Sequence, residues 1–162
     1  EYRVQHLGDD GTDGPVIGWY PLEEKPNAKI LVLRYLTEGG AAPSTGKFLT
    51  YREIPWGEVY FKQFQGRCLF RLAFGFGGKF DKFREIMERV GARAISSGDV
   101  GYELEFMKGL FVRLILWAGD DEFPPSAQIL FSDNFPAAFT QGEDMAVVGD
   151  VTIDMLKALA AK

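Results

Sequence analysis

The sequence has one cysteine, Cys68, and one histidine, His6. A single Cys cannot close an intramolecular disulfide, and with His6 it cannot supply the four ligands of a structural zinc site. The common iron–sulfur clusters need four Cys, or two Cys and two His, so none is expected on this chain alone. Basic charge is also short: 18 Lys and Arg stand against 23 Asp and Glu, a net charge of −5. Nucleic acid or an anionic membrane would require a cationic footprint, so neither is expected as a partner. Long apolar runs are missing as well. The longest candidate, Leu110 to Ala118, is interrupted by Arg113 and falls short of the ~18–20 residues that span a bilayer. A cytoplasmic location is the expectation. Because the sequence opens at Glu1 and not at Met, residues 1–25 can be read as the remnant of a longer N-terminal region.

Aromatic and aliphatic residues are plentiful. Hydrophobic residues make up 46% of the 162, and Phe alone occurs 14 times, which excludes the disordered class of chains. The length fits one domain, 1–162, whose folding removes roughly two-thirds of the extended chain's surface from water.

Periodicity divides that domain. Tyr2, Val4 and His6 alternate with polar residues, Asp9-Asp10-Gly11 is turn chemistry, and Val16 to Tyr20 is a second extended piece, together a terminal hairpin. Pro26 suits a first helical turn, Ile30, Leu33 and Thr37 recur at helical spacing, and Gly39-Gly40 supplies a stop. A helix over about 26–38 follows, and its apolar cluster Ile30-Leu31-Val32-Leu33 means that it is well buried. Lys47 to Tyr51 is extended between turns. Phe61, Phe64, Cys68 and Leu72 then predict a helix over 58–74 despite Gly66, and Phe80, Phe83, Met87 and Val90 predict another, with Gly91 as its left-handed cap. The period changes to two at Val100, Tyr102, Leu104 and Phe106; Lys108-Gly109 turns, and Leu110 to Trp117 is apolar on both faces except at Arg113. Ala92–Ser96 and Ala127–Phe131 are flanking strands. Thr140-Gln141-Gly142-Glu143 fits a capping box for a C-terminal helix over 141–160, which Gly149 could bend. The fold expected is α+β, a mostly antiparallel sheet of about five strands against about three or four helices.

Few segments carry chemistry. Gly75-Phe76-Gly77-Gly78-Lys79-Phe80 resembles a phosphate loop, but Ala73 stands where the first Gly belongs and Phe80 where the hydroxyl belongs. A helix stop and restart explains it better. Asp120-Asp121-Glu122 follows the central strand, and three carboxylates can hold a hard cation or divide acid and base roles. Asp133 would join them only through a parallel crossover, because antiparallel strands 110–117 and 127–131 place it about 15–20 Å away. Glu143 and Asp144 have sufficient roles at a helix start. A solvated turn is favoured over a ligand site. His6, on a terminal strand, is poorly placed for catalysis, and Cys68 on an apolar stripe reads as a buried, inert thiol unless Arg67 and Arg71 turn towards it. The Phe61, Phe64, Phe80 and Phe83 cluster suits core packing over a cofactor pocket. Arg52 in Tyr51-Arg52-Glu53-Ile54-Pro55-Trp56-Gly57 offers a fork of donors beside aromatic faces, suited to a ligand or a partner. The competing view is a rigid corner with Arg52 paired to Glu53 or to the 120–122 cluster.

That segment, together with Leu116-Trp117-Ala118-Gly119-Asp120-Asp121-Glu122-Phe123-Pro124-Pro125-Ser126-Ala127-Gln128-Ile129-Leu130-Phe131, resembles the domain of unknown function 3786 of anaerobic bacteria and archaea. The likeness runs from about residue 26 to the Glu143-Asp144 helix start. It implies an anaerobic setting and carries over no catalytic residue. Some relatives look fused to a small cysteine-rich iron–sulfur domain resembling one in corrinoid one-carbon proteins. With one Cys here, any such cluster or corrinoid would reside on a partner or on a preceding segment.

The leading expectation is therefore a non-catalytic accessory or binding domain with a protein partner, possessing no catalytic residue and no cofactor of its own. Its surface would be Arg52, Trp56, Trp117, Asp120, Asp121 and Glu122. The alternative is a metal-dependent enzyme using Asp120, Asp121 and Glu122 as ligands, with Asp133 added. Convergence of the carboxylates would separate the two. A purely structural subunit, the third option, would show a large apolar face and an obligate dimer.

Overall fold

The computed structural model describes residues 25–161, so the expected terminal hairpin and His6 lie outside the described residues. Helix α1 spans Pro26–Glu38, with Pro at its first position. Its buried residues are Ala28 and Leu31, with Tyr35 packed against the core, while Ile30, Leu33 and Leu36 face solvent. This corrects the expectation of a well-buried helix. Ile30-Leu31-Val32-Leu33 is apolar all round, so periodicity alone does not say which side is covered.

Among the described residues five strands form one sheet in the order β1-β5-β4-β3-β2, every neighbouring pair antiparallel: β1 Phe48–Thr50, β2 Arg93–Ala94, β3 Val100–Met107, β4 Leu110–Trp117 and β5 Ser126–Ser132. The α+β expectation holds, with β4 central and the Lys108-Gly109 hairpin formed on a positive φ at Gly109. Alternation sets the faces. Tyr102, Leu114 and Ile129 lie opposite one another on the covered side, as do Leu104, Val112 and Phe131. On the other side Glu103 bonds Arg113 at 2.8 Å and Arg93 at 2.7 Å, and the Arg113 guanidinium lies 3.6 Å over the Phe48 ring.

Helical structure runs without a break from Gly57 to Phe76: α2 Gly57–Phe64, a π turn at Gln65–Leu69, then α3 Phe70–Phe76. A π turn inserts one residue and rotates everything after it by about 100°. Helix α4, Phe80–Arg89, restarts after the glycines as expected, and Gly91 adopts the left-handed cap at φ 74°. A short helix α5, Phe135–Ala138, precedes α6, Gly142–Ala160.

Helix α6 is the hub. It packs on α1, α2, the π turn, α3 and α4, and is buried nearly all round, from Met145 through Ile153 to Leu159. Each fully buried Leu, Ile or Phe here contributes ~1.5–3 kcal/mol against leaving it exposed. The expected capping box does not form: Gln141 is the cap residue and makes no side-chain cap bond. Asp144 turns inward instead and accepts a 2.7 Å bond from Arg34 of α1. Burial raises its carboxyl's pKa, and Arg34 opposes the shift. One hydrophobic cluster holds two groups of rings, with Tyr51 stacked on Phe64 at 4.0 Å in one and Phe83 beside Phe76 and Tyr102 in the other. Phe64 and Phe83 are thus core residues.

Candidate functional site

The corner between β1 and α2 is pinned from below. Tyr51 is buried, stacks on Phe64, and donates its hydroxyl to the Gly142 carbonyl at 2.7 Å. Ile54 is buried beside it. A reciprocal cap closes the turn at its start, where the Thr50 amide and hydroxyl both donate to the Glu53 carboxylate at 2.7 and 2.8 Å. These bonds hold the Glu53 carboxyl below its usual range. Gly57 is required by contact: a Cβ there would lie 1.8 Å from the Tyr51 carbonyl oxygen.

What the corner presents outward is Trp56 and Arg52. Trp56 is 67% exposed and sits at φ 64°, the one non-glycine residue among those described with a positive φ. A bulky residue in that region is strained and persists only where its surroundings fix it. Its Cβ packs over Gly142 at the start of α6, where an added Cβ would be 3.3 Å away. Arg52 bonds Glu58 at 3.0 Å and lies 3.8 Å over the Phe61 ring. It pairs with neither Glu53 nor the acidic loop, so the corner is rigid through a different partner.

The second segment leaves β4 at Trp117, 38% exposed. The carboxylate of Asp120 accepts the backbone amides of Glu122 and Phe123 at 2.9 and 2.7 Å, and the Asp120 amide donates to the Phe123 carbonyl at 2.9 Å. Those amides depress the Asp120 carboxyl, Phe123 contributing most. Asp120 is therefore occupied as a turn-former. Asp121 and Glu122 are exposed, and Phe123 is 67% exposed beside them. Gly77, after α3, makes room for Pro125, since a Cβ on it would lie 2.5 Å from the Pro125 Cβ.

Asp133 belongs to another end of the sheet. It accepts Ser44 Oγ at 2.7 Å and both the amide and hydroxyl of Thr45. Antiparallel pairing of β4 with β5, Trp117 opposite Ser126 and Val112 opposite Phe131, keeps it away from Asp120–Glu122. Among the described residues no three His, Cys, Asp or Glu side chains stand close enough to hold a metal ion. Nor does any hydrogen bond or ion pair among them join the Arg52–Trp56 corner to Trp117–Glu122.

Cys68 lies at the π turn with its thiol 3.4 Å from the Ala146 carbonyl. Burial pushes its pKa up to about 12, Asp150 adds to this, and Arg67 and Arg71 only oppose it. It is an inert core thiol. The two arginines serve a network that sequence reasoning did not assemble. Arg67 pairs with Asp150, and Arg71 spans Asp150 and Asp154, the latter at 2.6 Å. Both pairs are spaced i, i+4 on facing helices. That spacing was the available signal, but only the fold says that the two helices meet.

No helix among the described residues is long and apolar enough to cross a membrane. No curated protein and no solved structure matches the chain. The family model of the domain of unknown function DUF3786 does match, over residues 1–155, and the chain belongs to that family.

Proposed function

We propose that this chain is a non-catalytic accessory domain that binds a protein partner through the Arg52–Trp56 corner. The observation that carries the proposal is Trp56, a solvent-exposed indole held on a left-handed backbone by a pinned turn. Tryptophan and arginine are the residue types that anchor protein interfaces, and a preorganised anchor loses little freedom on binding. Trp117, Asp121, Glu122 and Phe123 are exposed as well, and we assign them to the partner as a second patch. The setting we assign is the anaerobic cytoplasm, with an iron–sulfur or corrinoid protein as the partner. No observation favours the metal-dependent alternative.

The test is affinity capture from an anaerobic extract, followed by quantitation with the captured protein once purified. Trp56→Ala and Arg52→Ala should each weaken the complex at least tenfold, while Lys82→Ala on α4 should leave it unchanged. Equal retention by all three variants would sink the proposal.

A further inference from the structure

The π turn has a second effect. It sets the register of α3, which leaves Phe70 and Phe74, one turn apart, 49% and 65% exposed with ring centroids 6.2 Å apart. With Arg71, Gly75 and Lys157 they line an open groove of about 360 Å³. Gly75 keeps the floor low, and Lys157 crosses it, its Cε 3.7 Å from where a Gly75 Cβ would lie.

The charge around the groove is opposite to that of the chain. Among the described residues the groove's lining carries two cations, Arg71 and Lys157, and no carboxylate, on a protein of net charge −5; Arg71 is paired with Asp150 and Asp154 at its edge. Lys157 has no carboxylate partner among the described residues. An apolar body covering Phe70 and Phe74 would strip water from that ammonium, so a fitting occupant brings its own carboxylate. Small ligands prefer sites that enclose most of their surface, and here Phe74 stays open to solvent. The overall negative charge argues against an anionic lipid surface or a nucleic acid.

We propose that this groove docks an acidic, aromatic segment of a protein partner, with a carboxylate on Lys157 and a ring against Phe70 and Phe74. It rests on the reading of the chain as a binding domain but uses none of the corner residues, so the two stand or fall separately.

The experiment is an NMR titration of the full labelled chain with two short synthetic peptides. One carries Asp and Glu around Trp and Phe; the other replaces Asp and Glu with Asn and Gln. The acidic peptide should bind at least tenfold more tightly and shift amides in 70–75 and around 157. Lys157→Glu and Phe74→Ser, both at exposed positions, should each weaken it about tenfold, and Trp56→Ala should not. Equal binding of both peptides, shifts elsewhere, or binding that survives both groove variants would overturn the proposal. Self-association through this face that the acidic peptide fails to compete away would overturn it in favour of a second copy. Loss of Trp56-dependent capture with peptide binding intact would remove only the corner.

Discussion

Gly149 of α6 lies so close to Cys68 that an added Cβ would stand 2.7 Å from the sulfur and 3.3 Å from the Cys68 Cβ. The two helical segments touch through this pair. Gly149 is thus a packing residue and not simply a weak point in the helix.

Gly149→Ala should therefore destabilise the protein. Overpacking costs ~1–3 kcal/mol, and the helix-propensity gain of about 1 kcal/mol offsets part of it. In a Cys68→Ala background the sulfur is gone and the penalty should shrink by at least ~0.5 kcal/mol. Urea denaturation of the four-member cycle measures this. An unchanged penalty in the double variant would show that the strain lies elsewhere.

High pH should unfold the protein through two buried acids. Burial raises Cys68 from its usual 9.0 and Tyr51 from its usual 10.0, each to about 12. The folded chain then keeps protons that the unfolded chain gives up, so this contribution is intact below about pH 9 and is lost as pH climbs towards 12. The denaturation midpoint should decline over that range, less steeply in Cys68→Ala. At pH 8 a thiol reagent should label Cys68 only as fast as the protein opens. Rapid labelling of the folded state would contradict the burial.

Two adjacent residues in the corner should respond in opposite ways. Trp56→Gly relieves a backbone conformation that costs an ordinary residue ~1–2 kcal/mol, so its stability should stay within about 1 kcal/mol of the parent. Gly57→Ala drives a methyl into the Tyr51 carbonyl, and a loss above ~3 kcal/mol is expected. Thermal melts of the pair decide. A strongly destabilised Trp56→Gly would make the indole a structural prop.

Much of the architecture was legible because its periods were unambiguous. Val100–Phe106, the Lys108-Gly109 turn, Leu110–Trp117 and the Gly91 cap all appear where residue spacing puts them. Helix α1 stands where residue spacing puts it but is less buried than its apolar cluster implied, since four consecutive apolar residues carry no phase. Thr140 to Glu143 matched a capping pattern that Thr50 to Glu53 uses instead; the motif is short enough to occur without forming. Arg52 and Trp56 stand exposed on the segment whose loop chemistry singled them out. The groove was not legible, because its register depends on a π turn for which Gly66 is a poor signal, and because Lys157 is 83 positions from Phe74.

Strand order also constrains how the chain can be made. Among the described residues β1 pairs with β5 alone, Phe48 opposite Ser132, 84 positions later. During synthesis at ~5–20 residues per second, the first strand waits on the order of ten seconds for its neighbour. Throughout that interval the corner carrying Trp56 lacks its seat on Gly142, which emerges later still. The corner is thus finished late: a nascent or truncated chain that lacks Gly142 does not hold Trp56 in its completed setting.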